Sequence, residues 1–125
     1  MTMRGLRVRA LWFFCNLENS LIYELRQYIP TPGKAEALSR RFRDSTLALF
    51  RKLDFKVVDF WETTDGNGEL WYVMEWPDEA AMKAAWDAFR TNPEWVSTKK
   101  VTEAEGPLVQ KLQSYTLRRP AYFKP

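Results

Sequence analysis

Residues 55–76 read Phe-Lys-Val-Val-Asp-Phe-Trp-Glu-Thr-Thr-Asp-Gly-Asn-Gly-Glu-Leu-Trp-Tyr-Val-Met-Glu-Trp. β-Branched and aromatic side chains crowd both ends, so 55–63 and 69–76 read as strands. Asp65-Gly66-Asn67-Gly68 between them is hairpin-turn chemistry. These glycines do not mark a phosphate loop, because neither a helix nor a Lys-Ser/Thr pair follows them. A sheet with one wet face alternates apolar with polar residues. Here both alternations are apolar: Val58 and Phe60 oppose Val57 and Trp61, and Tyr72 and Met74 oppose Trp71 and Val73.

Upstream, residues 21–28 form a first strand, with Tyr23 and Leu25 pointing one way and Glu24 and Arg26 the other. Pro30 ends it. Thr31-Pro32-Gly33 opens a helix, with Thr31 as its cap. Ala35, Leu38, Phe42, Leu49 and Leu53 recur at helical spacing, which leaves Arg40, Arg41 and Arg43 mostly on the outer, solvated face. Downstream, Pro77-Asp78 starts a second helix whose buried stripe is Ala81, Met82, Ala85, Trp86 and Phe89. Asn92-Pro93 stops it and caps a shorter one. Gly106-Pro107 breaks the chain, 108–117 forms the last strand, and 118–125 is an extended tail. The order βαββαβ is the split-βαβ, ferredoxin-like plan: an α+β domain with a four-stranded antiparallel sheet and its helices on one face.

That plan leaves one sheet face bare, and this sheet has bulky side chains on both. Strand four repeats the pattern, with Leu112 on one face and Tyr115 on the other. Four aromatics on the open face would cover roughly 600–1,000 Å² at about 150–250 Å² each, one partner's share of a standard interface. The gross gain on burial is roughly 15–25 kcal/mol before the costs of association. Pairing with a second copy, face to face, is therefore expected, and it would enclose a cavity above the sheet. Glu24 and Arg26 would orient a polar ligand group there, and Phe60, Trp61, Trp71 and Tyr115 would line the space. The blander reading makes Glu24 and Arg26 a structural ion pair.

Composition bounds the chemistry. The chain has 125 residues, enough for one domain with its own core. It has no histidine, which excludes His-based acid–base and nucleophile arrangements and nearly every zinc, copper or haem site; no metal or other cofactor is expected. The single cysteine, Cys15, makes no intramolecular bridge, so a reducing, cytoplasmic setting is the natural expectation. Net charge is +3, of which +2 lies in the first twenty residues, so the rest is close to neutral and nucleic-acid binding is not expected. No run reaches membrane-span length. Residues 1–20 read as a leader or a mis-assigned translation start outside the domain of residues 21–125.

Three stretches carry a more specific pattern: Trp76-Pro77-Asp78-Glu79-Ala80-Ala81, Trp86-Asp87-Ala88-Phe89, and Asn92-Pro93-Glu94-Trp95. With Ile22-Tyr23-Glu24-Leu25-Arg26-x-Tyr28, Pro32-Gly33-Lys34, Val58-x-Phe60-Trp61-Glu62-Thr63 and Arg118-Arg119-Pro120, this pattern resembles the NIPSNAP family over residues 21–125. The resemblance implies a ferredoxin-like domain in a dimeric α/β barrel. Similar barrels serve cofactor-free monooxygenases, haem-degrading enzymes and small-molecule binders, while the family itself has no agreed chemistry. Its eukaryotic members are linked to mitochondria and vesicle traffic. Two departures stand out. Asp59 replaces the glycine usual before the second-strand aromatic. Leu21 stands where an initiator Met would be, as if a non-standard start codon were read internally; the intact mass of the native protein tests that.

Three function classes follow: a small-molecule-binding homodimer, a protein-interaction scaffold presenting the aromatic face and tail, and a cofactor-independent monooxygenase or isomerase. In the last, the base would be Glu24, Asp59 or Glu62 with its pKa raised by burial.

Overall fold

The computed structural model describes residues 21–125. The expectations about residues 1–20 and Cys15 lie outside the described residues. In chain order the elements are β1 (Ile22–Pro30), α1 (Ala35–Arg41), a π-helical turn (Phe42–Thr46), α2 (Leu47–Lys52), β2 (Lys56–Glu62), β3 (Leu70–Trp76), α3 (Glu79–Thr91), α4 (Pro93–Thr102) and β4 (Val109–Leu117). The sheet runs β2-β3-β1-β4 and every pairing is antiparallel. This is the α+β, ferredoxin-like arrangement that the order of elements implies.

Cross-strand register sorts the strand residues by face, and burial identifies the set that the helices cover. Ile22, Glu24, Arg26 and Tyr28 of β1 pair with Trp76, Met74, Tyr72 and Leu70 of β3. Apart from Arg26, all of these are buried. They pack beneath Leu38, Phe42, Leu49, Phe50, Trp86 and Phe89 of the helical layer. Phe50 lies within 6.0 Å, centroid to centroid, of Phe55, Tyr72, Trp86 and Phe89, so one ring ties both helical segments to the sheet. Aromatic edges and faces at such distances add to simple area burial.

Local chemistry explains most of the boundaries. Asp78 caps α3 by accepting from the Ala81 N–H at 2.7 Å. Asn92 caps α4 by accepting from Glu94 and Trp95 N–H at 2.9 and 3.2 Å, with Pro93 in the first turn. The β2–β3 connection folds around Asp65, which accepts from the Asn67 N–H at 2.9 Å. Gly68 there has φ +73°, and a Cβ at that position would fall 2.6 Å from the Ala35 Cβ. The loop packs against the start of α1 only because that side chain is missing.

Three expectations change. Thr31 does not cap α1: Gly33 at φ +82° turns the chain first, and the helix begins at Ala35 without a side-chain cap. A β-bulge between Val57 and Asp59 inserts one residue into β2. Val57 therefore pairs with Met74 and joins Phe60 on the covered side, while Val58 is left half exposed, so the strict alternation assumed for β2 fails. Arg41 is not on the outer face but only 5% exposed. Regular helical geometry puts Arg41, three residues after the buried Leu38, about 60° around the axis from it, and the end of α4 covers that side, with Thr102 and Glu103 accepting from Arg41.

A candidate ligand cavity between sheet and helices

The covered face carries a polar network in the middle of the apolar core. Glu24 is 2% exposed. Its Oε1 accepts from the indole N–H of Trp76 at 3.0 Å and of Trp86 at 2.7 Å. Its Oε2 accepts from Arg26 Nη1 at 2.8 Å and from the Ser114 hydroxyl at 2.6 Å. Strand periodicity sets this up: Glu24 and Arg26 are two residues apart and share a face, and Ser114 pairs across with Arg26. Burial is the largest influence on the carboxyl and pushes its pKa up. The Ser114, Trp86 and Arg26 donors together outweigh it, so the group titrates below its ordinary value.

Arg26 extends the network. Its Nε donates to the Tyr72 hydroxyl at 3.0 Å and its Nη2 to the Tyr28 hydroxyl at 2.9 Å. The guanidinium lies 4.1 Å from the Trp86 ring centroid, a cation–π contact. Burial alone would lower its pKa, but Tyr72, Tyr28 and Glu24 raise it, so it stays cationic. Burial drives the Tyr72 phenol well above its usual range, so Tyr72 stays protonated. The Tyr28 and Tyr72 oxygens are 2.9 Å apart. Each hydroxyl also receives an Arg26 N–H, and either can donate to the other.

Beside this network lies a cavity of about 310 Å³, bordered by Arg26 and Tyr28 of β1, Arg41 at the end of α1, Trp86 and Phe89 of α3, and Trp95 of α4. Its volume falls at the small end of ligand pockets, which run from about 300 to 1,000 Å³. Arg41 donates through Nη1 to Thr102 at 3.2 Å and to Glu103 at 2.8 Å, and its guanidinium lies 5.0 Å from the Trp95 ring centroid. Its Nε is buried and has no acceptor among the described residues. Among those residues there is no group of His, Cys, Asp and Glu side chains suited to a metal ion.

The six residues expected to form one site divide between the two faces. Glu24, Arg26 and Phe60 lie on the covered side, Phe60 stacked on Tyr72 at 5.3 Å with a 5° interplanar angle. Trp61 and Trp71 pair on the open face, and Tyr115 pairs with Leu25 there. Trp61 and Tyr115 are 48% and 44% exposed, and a shallow depression lies beside Leu25, Trp61 and Trp71 on that side. Glu24 and Arg26 therefore do not point above the sheet. They do form the expected ion pair, and Arg26 also borders the cavity.

The carboxylate-base expectation fails for Glu24: its pKa is lowered, and both oxygens are taken by donors. Asp59 and Glu62 are exposed and lack the burial that reading needs.

Sequence reasoning passed over Tyr28, Arg41, Trp86 and Ser114 as site residues. Tyr28 and Trp86 stood inside the family pattern. A buried tryptophan N–H requires an acceptor, so two core indoles together with a glutamate in the first strand were the available signal.

Comparison with known proteins places the geometry. An uncharacterised NIPSNAP-like domain protein from Burkholderia xenovorans superposes with a TM-score of 0.72 at 18% identity, covering 86% of this chain and 91% of that one. A NIPSNAP family protein of unknown function from Agrobacterium tumefaciens gives 0.70 at 17% identity, with 86% and 94% covered. A second from that organism gives 0.71 at 12% identity, with 84% and 90% covered. No curated protein matches. These identities establish a shared fold, and the model of the NIPSNAP family matches residues 23–124. The chain belongs to the NIPSNAP family.

Proposed function

We propose that this protein binds a small organic molecule in the cavity between sheet and helices, as a homodimer joined through its open sheet faces. No reaction is assigned. The observation that carries the reading is the buried Arg26 guanidinium: three of its five N–H donors are held by Glu24, Tyr28 and Tyr72, and the side chain borders an aromatic-walled cavity. Apolar residues of similar volume would stabilise the core as well as, or better than, this network. Stability therefore does not account for a charge held at this spot, and recognition of a polar group does.

Trp61, Trp71 and Tyr115 then belong to the interface, where a second copy covers what the one helical layer cannot. No helix among the described residues is long and apolar enough to cross a membrane. A reducing compartment such as the cytoplasm suits a chain with one cysteine.

The test is a library of small planar compounds, neutral and charged, scored by thermal shift and tryptophan fluorescence. A ligand at a hundred times its Kd adds about 2.7 kcal/mol of stability. Compounds that raise Tm should quench Trp86 or Trp95 emission, and each single Trp→Phe variant should lose its share. A library without a single shift rejects the reading.

A further inference from the structure

Resting on that reading, the structure assigns a chemical class to the ligand: we propose that the cavity takes a planar organic monocarboxylate, its carboxylate held by the free Nε–Nη2 edge of Arg41. Both hydrogen bonds of Arg41 to its own chain use Nη1. The opposite edge, Nε with Nη2, has no acceptor among the described residues, although the side chain is only 4% exposed. A guanidinium edge of two parallel N–H groups fits the two oxygens of a carboxylate. An unsatisfied donor at this depth is costly, and an incoming carboxylate removes that cost.

Arg41 also borders a smaller pocket of about 220 Å³. That pocket has no aromatic side chain on its wall, so it offers no surface to a planar body. The larger cavity is walled by Phe42, Phe50, Trp86, Phe89 and Trp95. The spare N–H groups of Arg26 add donors at its sheet wall, and Phe89 and Trp95 supply apolar surface.

Charge fixes the valence. Four cations border the cavity: Arg26, Arg41, Arg90 and Lys99. Three are paired, with Glu24, Glu103 and Asp87. Lys99, exposed at the rim, has no ion-pair partner among the described residues. One uncompensated positive charge suits one negative charge, a carboxylate rather than a phosphate dianion.

Calorimetric titration with benzoate and with its neutral isostere benzamide tests this on the full chain. Benzoate should bind at least tenfold more tightly, and Arg41→Gln should erase that preference while leaving benzamide affinity unchanged. Lys99→Met should weaken benzoate two- to fivefold. Lys99 is exposed at the rim, so this change keeps the test decisive if Arg41→Gln does not fold. Equal affinities for the two probes would overturn the carboxylate and leave small-molecule binding standing. So would a compound library in which only neutral or cationic members shift Tm. If nothing in that library binds, the broader reading falls and takes this inference with it.

Discussion

The two faces of this one sheet reverse the arrangement expected of a lone protomer. The covered face holds an ion pair, two tyrosine hydroxyls and a serine, all hydrogen-bonded. The open face holds Leu25, Trp61, Trp71 and Tyr115, with Trp61 and Tyr115 close to half exposed. The difference teaches that these faces answer to different demands. The covered face already has enough apolar contact from Phe42, Phe50 and Phe89 to tolerate a charged cluster. The open face has no helix, and Trp61, Trp71 and Tyr115 are the part of it that the proposed second copy would cover.

The largest expected effect breaks the covered face. Glu24→Gln keeps the shape but leaves Arg26 buried without its counter-charge and turns an amide NH₂ toward groups that all donate. A loss of about 3–5 kcal/mol is expected, read as a lower urea midpoint. Acid gives the same result by titration. Glu24 has a folded-state pKa below its unfolded value of about 4.3. Its stabilisation is therefore complete above that unfolded value and is lost as pH falls through the folded one. The wild type should lose stability steeply in that acid window, and the Gln variant should lack that component of the slope. Parallel slopes for the two proteins would remove the buried carboxylate from the account.

This comparison also marks how far the sequence could be read. The βαββαβ order was legible because hydrophobic period, turn residues and caps agreed, Asp78 and Asn92 most plainly. The separation of Glu24 and Arg26 from Tyr23 and Leu25 was legible from strand alternation. Which set the helices cover was not, because each alternation carries aromatic rings and only the packing of the helices chooses between them. Arg41 was hidden for a different reason. It lies about one turn after Leu38 on α1, and only the packing of α4, whose end supplies Thr102 and Glu103, buries it. The bulge at Val58 hid the true partners of Val57, because nothing in the run of residues announces the inserted one. Packing between elements thus decided the site, whereas the regular periods decided the fold.

The next effect breaks the open face alone. Trp61→Glu with Trp71→Glu puts two carboxylates on the proposed interface and touches nothing in the covered core. Sedimentation should show the wild type as a dimer at micromolar concentration and the double variant as a monomer. A weakening of at least a hundredfold is expected, about 2.7 kcal/mol. Urea unfolding of the monomeric variant should still be cooperative, because the core beneath β1 and β3 is complete within one chain. A wild type that sediments as a monomer would leave the open-face aromatics without their explanation.

The smallest effect sharpens the comparison within the covered side. α4 closes one side of the cavity, yet it contains no buried residue. It is held by Trp95 against Phe89 at 4.8 Å, by Arg41 at its far end through Thr102 and Glu103, and by the Asn92 cap at its start. A segment with so few apolar contacts opens at less than the free energy of global unfolding. Asn92→Ala removes two hydrogen bonds and costs about 1 kcal/mol. The loss should appear as amide exchange roughly fivefold faster along Pro93–Thr102, with β1 unchanged. Equal acceleration in β1 would mean that α4 opens only when the whole domain does, and a ligand would then have to enter by another route than this helix.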